Sequence, residues 1–288
     1  MSDITKVYGG RATITFHKHK HYYTVTVPSL GVDRLYQPGV TSIVGKLDKS
    51  KALVPWAVRS MTAKIDELMA TAPDPVDHDT VKAIVRAAES NYENIKEKSA
   101  NIGSLVHRFL EAEVIARGGF GSAPIRPVAD ELLNPDLSVE DVGMANKAID
   151  AGLRFLDAHH IKLIQAEAPR WSATYGYIGT GDLVAEVDGE LSVLDWKTGK
   201  RLYDTVFLQL AAYQRAFEEE FPENTIAQRV GISITRDGKL SHEIRTNETL
   251  AADFRCFCGL LEAWRWDREN QGVYSKEAPA IVGPLGKK

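Results

Sequence analysis

The sequence predicts an α/β or α+β protein: a strand-rich core with one inserted helix, preceded by a mostly helical half of the chain. Two observations support this prediction. Between Leu163 and Ile244 most segments are short, rich in β-branched residues and separated by turn residues, which is typical of strands. Between residues 51 and 160 apolar residues recur instead at helical spacing. This distribution favours helices that pack on a central sheet.

The first half of the chain contains one β-rich segment and several helical ones. Residues 11–27 are β-branched and aromatic and predict two strands or a hairpin. Residues 51–70 predict a helix that is broken near Pro55. The other predicted helices of this half are residues 79–117, with an interruption near Asn101–Gly103, and residues 139–160.

The second half supplies the core. Its predicted strands are residues 161–168, 171–176, 180–188, 190–197, 228–235 and 239–245. Asp188-Gly189 and Asp237-Gly238 have the composition of tight hairpin turns. Its predicted helices are residues 204–221 and 248–270. The chain is long enough to form one integrated domain. Its expected parts are a β-hairpin at 1–35, a helical region at 36–160, the core at 161–270 and a flexible tail at 271–288.

Composition limits the classes of protein that fit. No apolar run approaches the ~20 residues of a membrane span, so we expect no membrane association. The net charge of -4 does not suggest a nucleic-acid binder, although a local basic groove matters more than the total. Cys256 and Cys258 are too few for an iron–sulfur cluster. The first residues have neither a signal core nor a presequence pattern, so we expect a cytoplasmic protein.

One predicted hairpin has an unusual set of charges. A turn at Asp188-Gly189 places Asp182 directly across from Asp195, with their Cβ atoms about 5 Å apart. Lys197 lies on the same strand face as Asp195 because side chains alternate along a strand. Facing carboxylates repel each other, and a divalent metal with oxygen ligands would explain them. A surface hairpin with solvated ion pairs remains the alternative.

Three other short patterns are compatible with a site and also with ordinary structure. His107 and Glu111 lie four apart on one helix face, as a metal ligand with its orienting partner or as a structural pair. Glu167 is a carboxylate on the strand that precedes the hairpin. Gln209 and Tyr213 share a helix face after the Lys197 strand.

Taken in order, these motifs resemble those of a known family. GxxxHxxxE, a strand Glu, GD, DWK and QxxxY occur in this order in the RecB-type branch of the PD-(D/E)xK nuclease superfamily. The set of motifs looks most like that of the mitochondrial genome maintenance exonuclease and its phage-encoded relatives. The segment 39–57, which includes Ser42 and Trp56, is similar to the family segment that leads into the core. The resemblance covers about residues 36–266 and implies a central mixed β-sheet flanked by helices, with a helical N-terminal elaboration.

The resemblance also implies roles for individual residues. His107, Asp182 and Asp195 match the metal-binding residues, and the backbone carbonyl of Trp196 is a further expected ligand. Lys197 matches the catalytic lysine, and Glu167 the acid that precedes the hairpin. The expected catalytic set is therefore Lys197, Asp182, Asp195 and Glu167, with one or two Mg²⁺ or Mn²⁺ ions as cofactor. Expected substrate-binding or supporting residues are Gln209, Tyr213, Glu111, Thr198, Ser42 and Trp56.

Substrate contacts are expected in the helical N-terminal half, by analogy with relatives in which a helical arch selects single strands or free ends. The basic residues grouped there around Trp56 are Lys46, Lys49, Lys51, Arg59 and Lys64. Positive charge follows phosphates and an aromatic ring stacks a base, although a solvated helix face with a core Trp is the alternative. The stretch 17–23 (HKHKHYY) alternates three histidines with two lysines. It indicates an exposed, mildly basic edge strand, or else a metal site.

The expected function is therefore a metal-dependent DNA exonuclease in recombination, repair or replication, acting on single-stranded DNA or DNA ends. We expect it in bacterial or phage-infected cytoplasm, with a recombinase or a single-strand-binding protein as a partner. Two alternatives remain open. One is a structure-specific endonuclease, or a nuclease acting on RNA, of the same superfamily. The other is a non-catalytic DNA-binding recombination accessory protein.

Overall fold

The computed structural model describes residues 2–47, 50–128, 137–199 and 201–271. The described chain forms two β-sheets accompanied by six α-helices. The flexible tail predicted for 271–288 lies outside the described residues except for Gln271, and so does Lys49.

The first sheet contains four antiparallel strands in the order β1-β2-β3-β4. They are β1 (Ser2–Val7), β2 (Ala12–His17), β3 (Tyr22–Val27) and β4 (Val32–Gln37). The strand pair predicted within 11–27 is present as β2 and β3, but the predicted hairpin is only the centre of a larger sheet. The predicted edge strand at 17–23 is wrong, because β2 ends at His17, a turn follows, and β2 and β3 are both central.

The second sheet has the order β5-β6-β7-β8-β9, and only the β7–β8 pair is parallel. Its strands are β5 (Ile161–Ser172), β6 (Tyr177–Val187), β7 (Glu190–Thr198), β8 (Gln228–Ile234) and β9 (Leu240–Thr246). This confirms the predicted central mixed sheet. The two strands predicted at 161–168 and 171–176 are one continuous strand, because every residue from Pro169 to Ser172 pairs with β6.

The helices are less interrupted than the sequence predicts, and the ends of the five predicted helices are correct to within two residues. They are α1 (Val40–Val44), α2 (Ser50–Met69), α3 (His78–Arg117), α4 (Val139–Ala158), α5 (Thr205–Glu220) and α6 (Asn247–Asn270). The breaks predicted near Pro55 and Asn101–Gly103 are wrong. Pro55 lies in the second turn of α2, where it removes one backbone hydrogen bond without ending the helix. No helix in the described ranges has the length and apolarity of a membrane span.

Helices cover both faces of the central sheet. One hydrophobic cluster joins α3 and α4 to the sheet through residues such as Leu110, Phe155 and Trp196. The other joins α1, α5 and α6 to the opposite side through residues such as Phe207 and Phe257. The β1–β4 sheet packs separately on β5 and β6, in a third cluster. The central hairpin is therefore held between two cores.

The turn between β6 and β7 fixes the register of that hairpin. Asp188 and Gly189 have φ angles of 53° and 92°, which suit the two-residue turn that matches the twist of paired strands. Leu183 pairs with Leu194, which is the predicted register. The next position along the pair therefore sets Asp182 opposite Asp195.

Two glycines of β6 leave room for an aromatic ring from α5. The ring of Tyr213 lies so close to β6 that a Cβ atom on Gly179 would be 2.4 Å from its Cε1 atom. The same Cβ atom would be 2.7 Å from Val40 Cγ2, and one on Gly181 would be 3.2 Å from the Tyr213 ring. Because Gly179, Tyr213 and Val40 are all buried, neither side of the contact can move into solvent.

We predict that Gly179→Ala destabilises the fold by about 1–3 kcal/mol, because the added methyl group overpacks the Tyr213 contact. The free energy of unfolding in urea measures this. Gly143→Ala is the matched control, since Gly143 lies exposed in α4 with no atom within 4 Å of its would-be Cβ. The control variant should gain up to about 1 kcal/mol of helix propensity. Equal unfolding midpoints for the two variants would contradict the close contact.

Candidate active site

Two facing carboxylates form the centre of the candidate site. Asp182 lies on β6, and its Oδ2 atom accepts a hydrogen bond of 2.7 Å from the backbone N–H of Trp196. Asp195 lies on β7 with only 2% of its surface exposed. Its buried Oδ2 atom is contacted by the side chain of Lys197. The hairpin therefore fixes one carboxylate by its backbone and buries the other.

Lys197 supplies positive charge beside the pair. Its Nζ atom lies 2.5 Å from Asp195 Oδ2, so the predicted placement of both side chains on one face is present. Burial raises the pKa of Asp195 to about 6, and the Asp182 charge adds to the rise while Lys197 opposes it. Burial acts to lower the pKa of Lys197, but Asp195 and Asp182 together raise it above its ordinary value.

Helix α3 brings His107 to the same carboxylates. The Nδ1 atom of His107 lies 3.5 Å from Asp182 Oδ2. Burial acts to lower the pKa of His107, but the contact with Asp182 and the charge of Asp195 raise it overall. Glu111 follows one turn later, and burial and the Asp182 charge raise its pKa. The predicted His–Glu pair therefore faces the hairpin.

Glu167 approaches from β5 in an unusual backbone conformation. Its φ angle is +45°, in the left-handed region that non-glycine residues rarely adopt. Strain of this kind persists only where the surrounding structure enforces it, and it is common at functional sites. Burial raises the pKa of Glu167 to about 7, and the charges of Asp182 and Glu111 add to the rise. Four carboxylates therefore crowd a region that also contains Lys197 and His107.

A glycine lets α3 approach the hairpin closely. A Cβ atom on Gly103 would lie 2.7 Å from the Oγ1 atom of Thr198, the last residue of β7. This is the glycine at which the sequence predicted a helix break. It instead marks the point of closest contact, one helical turn before His107. Thr198, predicted as a supporting residue, therefore helps to set the position of the histidine.

The donor atoms are of the kinds that bind a divalent ion, although they do not surround a single position. Carboxylate oxygens and an imidazole nitrogen are ligands of Mg²⁺ and Mn²⁺, and crowded negative charge favours a cation. Asp195 is buried opposite a second carboxylate, an arrangement that a bound cation would stabilise. Within the described ranges, however, no three His, Cys, Asp or Glu side chains are grouped closely enough to hold an ion together.

The other predicted supporting residues have mixed positions. Tyr213 is buried beneath β6 and forms a side-chain hydrogen bond with Thr41. Burial and the charges of Asp195 and Asp182 raise its pKa. Gln209 lies half-buried one turn earlier on α5. Ser42 is exposed on α1, and Trp56 packs against Tyr92 of α3 with ring centroids 5.3 Å apart. Neither Ser42 nor Trp56 lines the cleft beside the carboxylates.

The predicted basic group of the N-terminal half is not gathered at the site. Lys46 forms an ion pair with Asp267 of α6, and Lys64 forms one of 2.6 Å with Glu67. Arg59 is exposed on α2. The side chain of Lys51, like all of Lys49, lies outside the described part of the chain. None of the described members lines the cleft.

A cleft of about 900 Å³ opens beside the carboxylates, and one of its walls is unexpected. His107, Glu111 and Glu167 line it together with Thr198. The opposite wall belongs to the β1–β4 sheet, whose lining residues include Phe16, Lys18 and Tyr23; Arg108 of α3 also lines the cleft. The sequence indicated the strands but not where their sheet packs. Of the lining residues that the sequence analysis did not name, only Arg108 could have been recognised from the sequence, because it is adjacent to His107.

Comparison with known proteins agrees with a mixed sheet that carries an Asp–Asp-x-Lys hairpin. A family model for the PD-(D/E)XK nuclease superfamily matches residues 82–271, which is more than half of the chain. The chain therefore belongs to the PD-(D/E)XK nuclease superfamily. This confirms the superfamily predicted from the motifs, while the RecB-type branch stays a prediction. No curated protein matches the sequence.

We predict that Glu167→Gln raises the thermal unfolding midpoint of the protein in EDTA at pH 8. The substitution removes one of four mutually repelling carboxylates and leaves the side-chain shape nearly unchanged. Each kcal/mol gained raises Tm by about 2–4 °C for a protein of this size class. Calorimetry measures the change.

Glu190→Gln is the matched control, because Glu190 lies exposed at the other end of the same hairpin. It should leave Tm within about 1 °C, as surface substitutions usually do. Excess Mg²⁺ should raise Tm in the wild-type protein and reduce the advantage of Glu167→Gln. A Glu167→Gln protein that is no more stable than the control in EDTA would show that the carboxylates do not repel one another.

Proposed function

We propose that the protein is a metal-dependent DNA exonuclease that hydrolyses phosphodiester bonds on single-stranded DNA or at DNA ends. One observation carries this proposal: a buried Asp195 faces Asp182, with Lys197 2.5 Å from the first and His107 3.5 Å from the second. These groups lie beside a cleft large enough for part of a nucleic-acid strand. Membership of a nuclease superfamily supports hydrolysis of nucleic acid.

We infer that Asp182, Asp195 and His107 hold one or two Mg²⁺ or Mn²⁺ ions, with the Trp196 carbonyl as a further ligand. A bound divalent ion would neutralise the scissile phosphate and lower the pKa of a water molecule. The burial of Asp195 opposite a second carboxylate supports this assignment. Glu167, on the far side of Asp182, is placed to bind a second ion or its water.

Of the remaining side chains, Lys197 acts on the substrate directly and the others support the site. Lys197 can donate hydrogen bonds from Nζ to the attacking water or to a phosphate oxygen on which negative charge develops. Tyr213 is too buried for proton chemistry and braces the hairpin from the α5 side, and we assign Gln209, one turn earlier on the same helix, a supporting role. Thr198 keeps α3 at its distance and so holds His107 in position.

We prefer an exonuclease over the other activities of the superfamily because the ordered motifs resemble those of the RecB-type exonucleases. We place it in recombination, repair or replication in bacterial or phage-infected cytoplasm, with a recombinase or a single-strand-binding protein as a partner. A structure-specific endonuclease and a non-catalytic DNA-binding protein are the competing functions. The experiment below separates all three.

We predict that the protein shortens end-labelled single-stranded DNA in Mg²⁺ or Mn²⁺ and not in EDTA, and that Lys197→Ala lowers the rate at least 100-fold. Removal of one group that stabilises developing charge typically costs about 10²–10³ in rate. Labels at the 5′ and the 3′ end, resolved over time on a denaturing gel, give the direction of digestion.

Lys162→Ala is the control, because Lys162 pairs with Glu186 on the solvent side of the same sheet and should leave the rate unchanged. Cutting of circular single-stranded DNA would replace the exonuclease with the endonuclease. Binding of DNA without cutting of linear, circular or duplex substrates in any metal would favour the accessory protein.

A further inference from the structure

One face of the β1–β4 sheet is divided between two environments. Ala12, Ile14 and Val25 are buried on this face in a cluster that includes Trp171 of β5. Side chains alternate along a strand, so the same face continues beyond this cluster to Phe16 on β2. The pairing of Phe16 with Tyr23 places Tyr23 on that face as well. Both rings are only half-buried, and both line the cleft.

These two rings form a continuous aromatic surface. The centroids of Phe16 and Tyr23 are 4.8 Å apart, with their planes inclined by 31°. His21 packs edge-on against Phe16 at 5.8 Å and borders the pair on one side. The cluster that buries the other half of the sheet face does not include Phe16, and Tyr23 packs against the edge of that cluster while remaining only partly buried. Phe16 and Tyr23, which we call the aromatic wall, thus present ring surface to the cleft.

The aromatic wall stands close to the carboxylates. The Oη atom of Tyr23 lies 3.3 Å from Oγ1 of Thr180 on β6. Thr180 precedes Asp182 by two residues, which is about 7 Å along a strand. A strand of DNA whose phosphate lay beside Asp182 would therefore have its neighbouring bases within reach of the wall.

Positive charge is available on both sides of the cleft. Lys18 follows β2 in the turn next to the aromatic wall, and Arg108 lies on α3 across from it. Lys18 pairs with Asp3 at 2.9 Å, but both side chains are more than half exposed, so the pair is weak and a phosphate can replace Asp3. Arg108 is exposed and forms no ion pair within the described residues.

We propose that the aromatic wall stacks unpaired bases of a single DNA strand while Lys18 and Arg108 contact its backbone. Aromatic rings bind single strands in this way regardless of sequence, because every base has an aromatic face. A base inside a duplex already has both faces stacked on its neighbours and cannot use the wall. The N-terminal sheet thus selects single-stranded or frayed substrate. This inference rests on the proposed function and names the residues that bind its substrate.

Binding without cleavage tests the wall separately from the enzyme activity. The Lys197→Ala protein in EDTA is titrated with fluorescein-labelled oligodeoxythymidylate, and anisotropy gives the dissociation constant. Adding Phe16→Leu keeps an apolar side chain but removes the ring, and we expect about ten-fold weaker binding. Adding Phe16→Trp instead should keep the affinity of the parent protein, because a larger ring also stacks. Tyr22→Leu is the matched control, since Tyr22 is a neighbouring aromatic residue on the opposite face of the sheet.

An abasic oligonucleotide completes the test. The wall has no base to stack there, so Phe16→Leu and its parent should bind it equally. A penalty for Phe16→Leu that equals that of Tyr22→Leu, or that persists on abasic DNA, overturns the proposal. If Phe16→Leu does not fold, the Phe16→Trp protein provides the test. A base stacked on the introduced indole ring should quench the fluorescence that this ring adds. Unchanged emission on addition of DNA would exclude a stacked base. Digestion by the wild-type protein is scored separately, so failure of the wall does not imply failure of the nuclease.

Discussion

The repulsion between Asp182 and Asp195 is the constraint on which the rest of the site depends. A two-residue turn and a fixed register force the carboxylates to face each other, and burial strengthens their interaction. The repulsion is offset by the positive charge of Lys197 and by a backbone hydrogen bond that Trp196 donates to Asp182. Crowded carboxylate oxygens favour a cation, and a divalent ion is the ligand that these donor atoms suit.

Packing adds to the sheet hydrogen bonds that keep the hairpin in its place. Gly103 brings α3 against the end of β7 on one side, and Gly179 admits the Tyr213 ring against β6 on the other. Both glycines have negative φ angles, so any residue could adopt their backbone conformation. They are needed because a side chain would not fit. The distance between His107 and the carboxylates therefore depends on the lack of a Cβ atom at Gly103 and at Gly179.

The sequence predicted the parts of the site that follow from local periodicity. The register that opposes Asp182 and Asp195 came from one turn, and the His107–Glu111 pair from one helical interval. The continuity of α3 through Gly103 was missed. Glycine has a low helix propensity, and propensity carries no information about a close tertiary contact. The position of Phe16 and Tyr23 was also missed. Their sheet packs on strands more than 120 residues later in the chain, and no local pattern encodes that contact.

The unbroken length of α3 has a mechanical consequence. It is a single rod of 40 residues, or about 60 Å, and only the part from Ile102 onward joins the hydrophobic core beside the sheet. If the rod tilts about Gly103, His107 lies about 6 Å from the fulcrum and His78 about 38 Å from it. For such a tilt, the displacement at His107 would be about one sixth of that at His78. A shift of a few ångströms at the outer end, where α2 packs, would therefore move the imidazole by less than about 1 Å.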